Sequence, residues 1–425
     1  MVVGTIIGAS IFVQPSEITG QVHSIPGVLL VWGVCGVLTF IGALVCAELA
    51  STFTDTGGVY VYLTKAFRPV VGFLWGWAMF WSMHSGIIAA IAVIFARYTA
   101  YFIPLGGWGV KAVAIAAILV LSGVNYVGVR HGSTLQTLFT GGKLLAICLI
   151  IAVGFSLGSR LPEHFVTPDT FSETTSLSTF LTALVAGLFA FGGWHMVTYS
   201  SEETVDSRAT IPRALLLGTA LVTVCYIGMN AVYMYVLPLD TVASSTRVAA
   251  DAADAVIGVG GGGSLSAIVM FSTFGALSGI ILAGPRVYYA MARDGLLFGW
   301  VGTIHPRFRT PTRAIMIQAI WSCVLVGTGT FQALFTRVVY TEWIFFGLMT
   351  IGLFMLRRRR DVRRSYSAWG YPVLPAVFVI SSFAIVANQV VSDPVESAMG
   401  LSLVIAGLPV YYFWARRRYV QEGST

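Results

Sequence analysis

Two short strings of small residues, Gly4 to Phe12 (GTIIGASIF) and Gly187 to His195 (GLFAFGGWH), interrupt long apolar runs of the chain. Glycine inside a helix costs roughly 1 kcal/mol relative to alanine. Either these glycines let helices pack closely, Gly4 and Gly8 having the GxxxG spacing, or the helices break there. A break in an apolar medium frees main-chain N–H groups on one side and carbonyls on the other, and both need partners. Freed N–H groups at a helix start suit a carboxylate, and freed carbonyls suit an ammonium. Two adjacent breaks would therefore receive the head group of a zwitterion.

Few other polar groups lie inside apolar runs. Lys143, in TGGKLLAICLIIAVG, sits about three residues from the middle of its run, a place where lysine costs roughly 2.5–3.5 kcal/mol on insertion scales. It either snorkels to the nearer surface or serves as a cation beside the first break. Glu342, in VVYTEWIFFG, either lines a pathway or faces the outer surface. His195 follows the second string and His84 lies in another run; each is a candidate pathway group, although a lone histidine is more often a hydrogen-bonded packing residue. Arg286 reads as a snorkelling residue, and Glu48, Glu202 and Glu203 as solvated run ends rather than gate ion pairs.

The elements that carry these groups must be membrane helices. Of 425 residues, 56% are hydrophobic and only 10% charged, against roughly 25% charged in soluble domains. Mean hydropathy is +0.82. Disorder, coiled coil and collagen are excluded by the same numbers, and a membrane barrel by the absence of alternation. Runs of about 20 apolar residues fall at about 2–22, 27–50, 69–97, 111–128, 134–158, 177–200, 212–237, 264–292, 313–334, 338–356, 371–391 and 396–415. Twelve spans put both termini on one side. That side collects eighteen of the 25 basic residues, including Arg357 to Arg360 and Arg416 to Arg418. The other side has Arg97, Lys111, Arg160, Arg247 and Arg337, so the positive-inside rule places the termini, and a tail at 416–425, in the cytoplasm. The net charge of +7 then reflects topology and anionic lipid rather than nucleic acid, and the run at 357–360 reads as a stop-transfer anchor. The outer segment 238–263 carries a short lid helix, and 51–66 lies at or re-enters the inner interface. The five cysteines, Cys35, Cys46, Cys148, Cys225 and Cys323, fall within apolar runs and read as packing residues. Neither metal-ligand spacing nor a hydrolase or nucleotide-binding motif is present, so no cofactor, metal or enzymatic activity is expected.

Spans one and six, which hold the two strings, are corresponding members of two five-helix halves. Interrupted helices at matching places point to a transporter built from inverted repeats, about 1–158 and 177–356, with two extra helices at 371–415. Seven strings in order, GTIIGASIF, CAELASTFTDTGGVYVYL, FTGGKLLAICLIIAVG, GLFAFGGW, FGALSGIILAGPRVYYAMARDG, HPRFRTP and GLPVYYF, resemble the amino acid–polyamine–organocation superfamily, in its L-type amino acid transporter branch. The resemblance implies the all-α leucine-transporter fold with discontinuous first and sixth spans. The substrate carboxylate would meet N–H groups of Gly8, Ala9 and Ser10. Its amino group would meet carbonyls of Ile6, Phe189 and Gly192, with Gly193 alongside and Phe189 as the outer gate. Lys143 matches the lysine that replaces a coupling sodium ion, which implies sodium-independent exchange, facilitated diffusion or proton-coupled uptake of amino acids, with neutral side chains expected.

Three departures from the family pattern stand out. Ser10 occupies a position that is often glycine. AYFIPLGGWGVK lacks the cysteine that binds a single-span glycoprotein, so no disulfide-linked partner is expected. Met1 leaves only a short segment before the first string, which reads as a truncated start. Transport of polyamines or cationic amino acids, or a receptor that keeps the fold without flux, are the other functions compatible with these residues.

Overall fold

The computed structural model describes residues 1–128, 132–158, 175–258, 260–329, 331–359 and 364–413. The tail at 416–425, with Arg416 to Arg418, and Arg130, Arg160, Arg360 and Arg363 lie outside the described residues. Seventeen α-helices follow one another among those described, and no strand occurs. They are α1 (Val2–Ile6), α2 (Gln14–Thr19), α3 (Ile25–Thr52), α4 (Val59–Ala66), α5 (Pro69–Ala78), α6 (His84–Thr99), α7 (Gly107–Val127), α8 (Gly132–Leu157) and α9 (Leu177–Ala190). After a stretch of 3-10 helix come α10 (Ser207–Val236), α11 (Leu239–Ser244), α12 (Val248–Ile257), α13 (Gly261–Arg293), α14 (Thr312–Thr328), α15 (Phe331–Arg358), α16 (Val373–Ser392) and α17 (Pro394–Ile405).

Among the described residues, ten helices are long and apolar enough to cross a membrane. Two of the runs expected to span fall outside that set. The run at 2–22 is divided between helices of five and six residues, and α14, at 17 residues, is about 26 Å long against a hydrocarbon core of about 30 Å. α5 continues into α6 through a π-helical turn at Met79–Met83, which makes a continuous 31-residue element.

One boundary differs from expectation. The break between the ninth and tenth runs lies at Gly329, not at 335–337: α14 stops at Thr328 and α15 has begun by Phe331. Thr328-Gly329-Thr330 are weak helix formers, whereas Phe335, Thr336 and Arg337 lie within α15. Arg337 is consequently a helical residue ion-paired to Glu396 at the start of α17. The short helix expected within 238–263 is present as α12. The segment at 51–66 folds into α4, whose residues Val59 to Leu63 are all buried.

Burial sorts the helices. α3 packs along α10, α6 against α13, and α15 against α16, with Trp32, Trp75, Tyr226 and Tyr340 among the buried large side chains between them. α7, α8, α16 and α17 carry exposed Leu119, Val120, Leu145, Leu149, Ile380 and Val395. Such a wide apolar exterior is a lipid-facing surface rather than a water-facing one. All five cysteines are free thiols.

Candidate functional site

α1 ends at Ile6 because Ile7 leaves the helical region (φ −69°, ψ 84°). The Gly8 N–H, which would bond the Gly4 carbonyl in a continuing helix, turns to Ile6 O instead, at 2.7 Å. The chain resumes as 3-10 helix at Ser10–Phe12 and as α2 with Pro15 in its first turn, a favoured place for proline. Lys143 on α8 takes up the freed carbonyls: its Nζ donates to Gly4 O at 3.2 Å and to Ile7 O at 3.0 Å. The side chain is 4% exposed, so the lysine reaches into the protein and does not snorkel. The Ala9 and Ser10 N–H groups make no main-chain bond of this kind among the described residues.

The second string breaks in a different way. α9 ends at Ala190, and Gly192 N–H closes a tight turn on Phe189 O at 3.0 Å. Gly193 has φ +89°, a left-handed conformation that costs other residues roughly 1–2 kcal/mol. A 3-10 stretch follows from Trp194 to Glu203, with Ser200 off helical geometry. The left-handed turn brings Gly193 against α1: a β-carbon there would lie 3.1 Å from Thr5 O, and Thr5 Oγ1 donates to Gly193 O at 3.2 Å.

Tyr226 on α10 joins the two breaks. Its hydroxyl lies 2.9 Å from Ile6 O and 3.1 Å from Ala190 O, the last helical carbonyls of α1 and α9. The ring is fully buried, edge-on to Trp32 (5.5 Å) and Phe191 (5.0 Å). Sequence reasoning missed it. The signal available was a tyrosine amid the apolar run of span seven, where a buried hydroxyl must find a partner.

Between the breaks lies a narrow cavity of about 10 Å³, room for little more than one water molecule. Ile6, Gly8, Ser10, Phe189, Gly192 and Gly193 line it, together with Thr5, Met196 and side chains of α6, α13 and α15. The structure thus brings six of the seven expected head-group residues to one cavity. Ala9 is fully buried and does not line it. Phe189 is 5% exposed, with its ring 5.5 Å from Phe335. Glu342 lines the cavity and does not face the outer surface. His195 is elsewhere: its Nε2 lies 2.8 Å from the Tyr199 hydroxyl, inside a cage of Trp75, Trp194 and Phe346. His84 Nε2 is 2.8 Å from Ile280 O. Both histidines are hydrogen-bonded packing residues. Among the described residues no cluster of three metal-ligating side chains occurs.

Several acidic residues depart from expectation. Glu48 is not solvated but 1% exposed and paired with Arg357 through both of its oxygens, with Ala368 N–H donating at 2.8 Å. The Arg357 guanidinium also stacks 3.7 Å over the Tyr371 ring. That arginine is an internal tie between α3 and α15, not a free lipid anchor. A buried carboxylate is tolerated only when paired and hydrogen-bonded in this way. Glu203 forms a two-pronged pair with Arg286 (2.8 and 2.9 Å), so Arg286 does not simply snorkel. Glu202 accepts from Thr56 N–H at 3.1 Å and from Arg293 at 3.4 Å, and Tyr60 donates to Asp294 at 2.6 Å. These ties gather α3, α4, α13, α15 and the 3-10 stretch at one end of the molecule.

The chain is similar over nearly its whole length to known transporters. It is 32% identical to the serine/threonine exchanger SteT of Bacillus subtilis (strain 168), covering 98% of this chain and 95% of that one. It is 30% identical to the human b(0,+)-type amino acid transporter 1, covering 99% and 87%, and 29% identical to the human cystine/glutamate transporter, covering 97% and 83%. The profile of one family, described as amino acid permease, matches residues 1–410. The chain belongs to the amino acid permease family of membrane transporters.

Proposed function

We propose that the protein is a secondary transporter that binds one zwitterionic amino acid between its two main-chain breaks and moves it by alternating access. The observation that carries this reading is the cavity itself, bounded by Gly8, Ser10, Gly192 and Gly193 and stitched together by Thr5 and Tyr226. The Ala9 and Ser10 N–H groups suit a carboxylate, and the carbonyls of the second turn suit an ammonium, with Phe189 closing the site from the outside. Twelve crossings in two inverted five-helix repeats, the first and sixth discontinuous, account for the placement of α1 with α2 and of α9 with the 3-10 stretch. Lys143 supplies in one side chain the charge that a bound sodium ion would otherwise supply, so uptake is sodium-independent, as exchange or as facilitated or proton-coupled entry. The excess of basic residues between spans on one side supports a reading with both termini in the cytoplasm, in a plasma or inner membrane. The chain works without a disulfide-linked partner, since residues 100–111 hold no cysteine.

Neutral L-amino acids are the expected substrates, which agrees with the serine/threonine exchange named for the Bacillus subtilis relative. The test is counterflow in proteoliposomes containing the purified full chain, preloaded with unlabelled amino acids and run with and without sodium. Labelled uptake accelerated by internal substrate, equal in both salts, is the expected result. Saturable binding with no flux would identify a receptor instead.

A further inference from the structure

Among the described residues, Glu342 is the one ionisable side chain lining the cavity. It is 5% exposed, lies one helical turn beyond Val338 on the same face of α15, and has no hydrogen-bond or ion-pair partner among the described residues. The lysine nearest in function does not answer it, because Lys143 is spent on the Gly4 and Ile7 carbonyls and does not line the cavity. Of the residues that share the lining, Ile87, Ile91, Ile280 and Val338 cannot hydrogen-bond, and Thr5, whose hydroxyl donates to Gly193 O, and Ser10 make no bond to Glu342. A buried carboxyl without a partner is unfavourable, so the arrangement is complete only when something in the cavity donates to it.

We propose that Glu342 reads the substrate's side chain, and that the site selects amino acids whose side chain carries a hydrogen-bond donor, a hydroxyl or an ammonium, over apolar ones of equal shape. This rests on the reading of the cavity as the amino acid site. The main chain at the two breaks can grip what every amino acid shares; the face built by α6, α13 and α15 meets what differs. A donor-bearing side chain satisfies the carboxylate, whereas an apolar one leaves it desolvated and unpaired. Rejection of an analogue that lacks a required polar group is the stronger kind of discrimination.

The test uses isosteric pairs, threonine against valine and lysine against norleucine, on the purified full chain and on Glu342→Gln and Glu342→Leu. Binding is read by ligand-induced thermal stabilisation and transport by counterflow. The wild type is expected to favour the donor-bearing member of at least one pair by tenfold or more. Glu342→Leu abolishes that preference and improves the apolar member. Glu342→Gln, which keeps an acceptor and loses the charge, abolishes a lysine preference and retains a threonine preference. Equal affinity within both pairs in the wild type would overturn the proposal, as would a preference that survives Glu342→Leu. So would a loss of every substrate alike in well-folded Glu342→Gln, which would place the residue outside side-chain recognition. Binding without counterflow defeats the transporter reading and leaves this test intact, since the pairs are then compared by stabilisation alone.

Discussion

The two faces of the cavity are built from different material. One is main chain from the interrupted strings, held by Thr5, Lys143 and Tyr226 from behind. The other is side chain, with four aliphatic residues and Glu342 projecting from intact helices. Peptide dipoles do not change when residues are exchanged, so a site made of them suits the constant part of an amino acid. Side chains are exchangeable, so a face made of them can be retuned without disturbing the first. The two breaks repeat the contrast on a smaller scale. The second turns through glycine, with a left-handed residue and a tight turn, while the first leaves the Gly4 and Ile7 carbonyls to a lysine from a distant helix.

This division makes unequal predictions for the two faces. The largest effect belongs to Lys143→Ala. It removes two charge-assisted hydrogen bonds, each worth about 1.5–3 kcal/mol, and strands two buried carbonyls. Counterflow of every amino acid should fall by about 100-fold or more, whatever the side chain, while membrane insertion and monodispersity in detergent are kept. Loss confined to one side-chain class would break the comparison. A smaller effect belongs to Tyr226→Phe. The ring and its packing stay, and one hydroxyl shared between two carbonyls is lost, at a cost of about 0.5–1.5 kcal/mol. The apparent KM should rise roughly three- to tenfold for threonine, valine and lysine alike, as measured by initial rates of exchange. An unchanged KM would show that joining the two breaks does not set the geometry of the head-group site. Both differ from the Glu342 variants, which should change ranking among substrates more than they change overall rate.

Much of this was visible in the residues themselves. Glycine and small side chains at 4–10 and 187–193 marked both breaks, because few other residues tolerate the turns seen there. A lysine in the middle of an apolar run marked the first break's counter-charge, because nothing else makes its insertion tolerable. Pairings between distant segments were not visible. Glu48 and Arg357 stand 309 positions apart, and each looks like an ordinary helix-end charge until α3 and α15 are packed together. Tyr226 was hidden for the same reason: its run is uniformly apolar in pattern, and only the fold reveals that its hydroxyl meets two helix ends. The misplaced boundary at Gly329 has a local cause, since apolar residues on both sides masked the weak helix formers Thr328, Gly329 and Thr330.

The central claim, that main-chain groups at two breaks grip both charges of the substrate head, is tested most directly by binding to the purified full chain. A transported amino acid is compared with its decarboxylated amine and its N-acylated acid, with side chain held constant and affinity read by ligand-induced stabilisation. The account predicts that removing either charge weakens binding by at least tenfold. Equal affinity for all three compounds would contradict it.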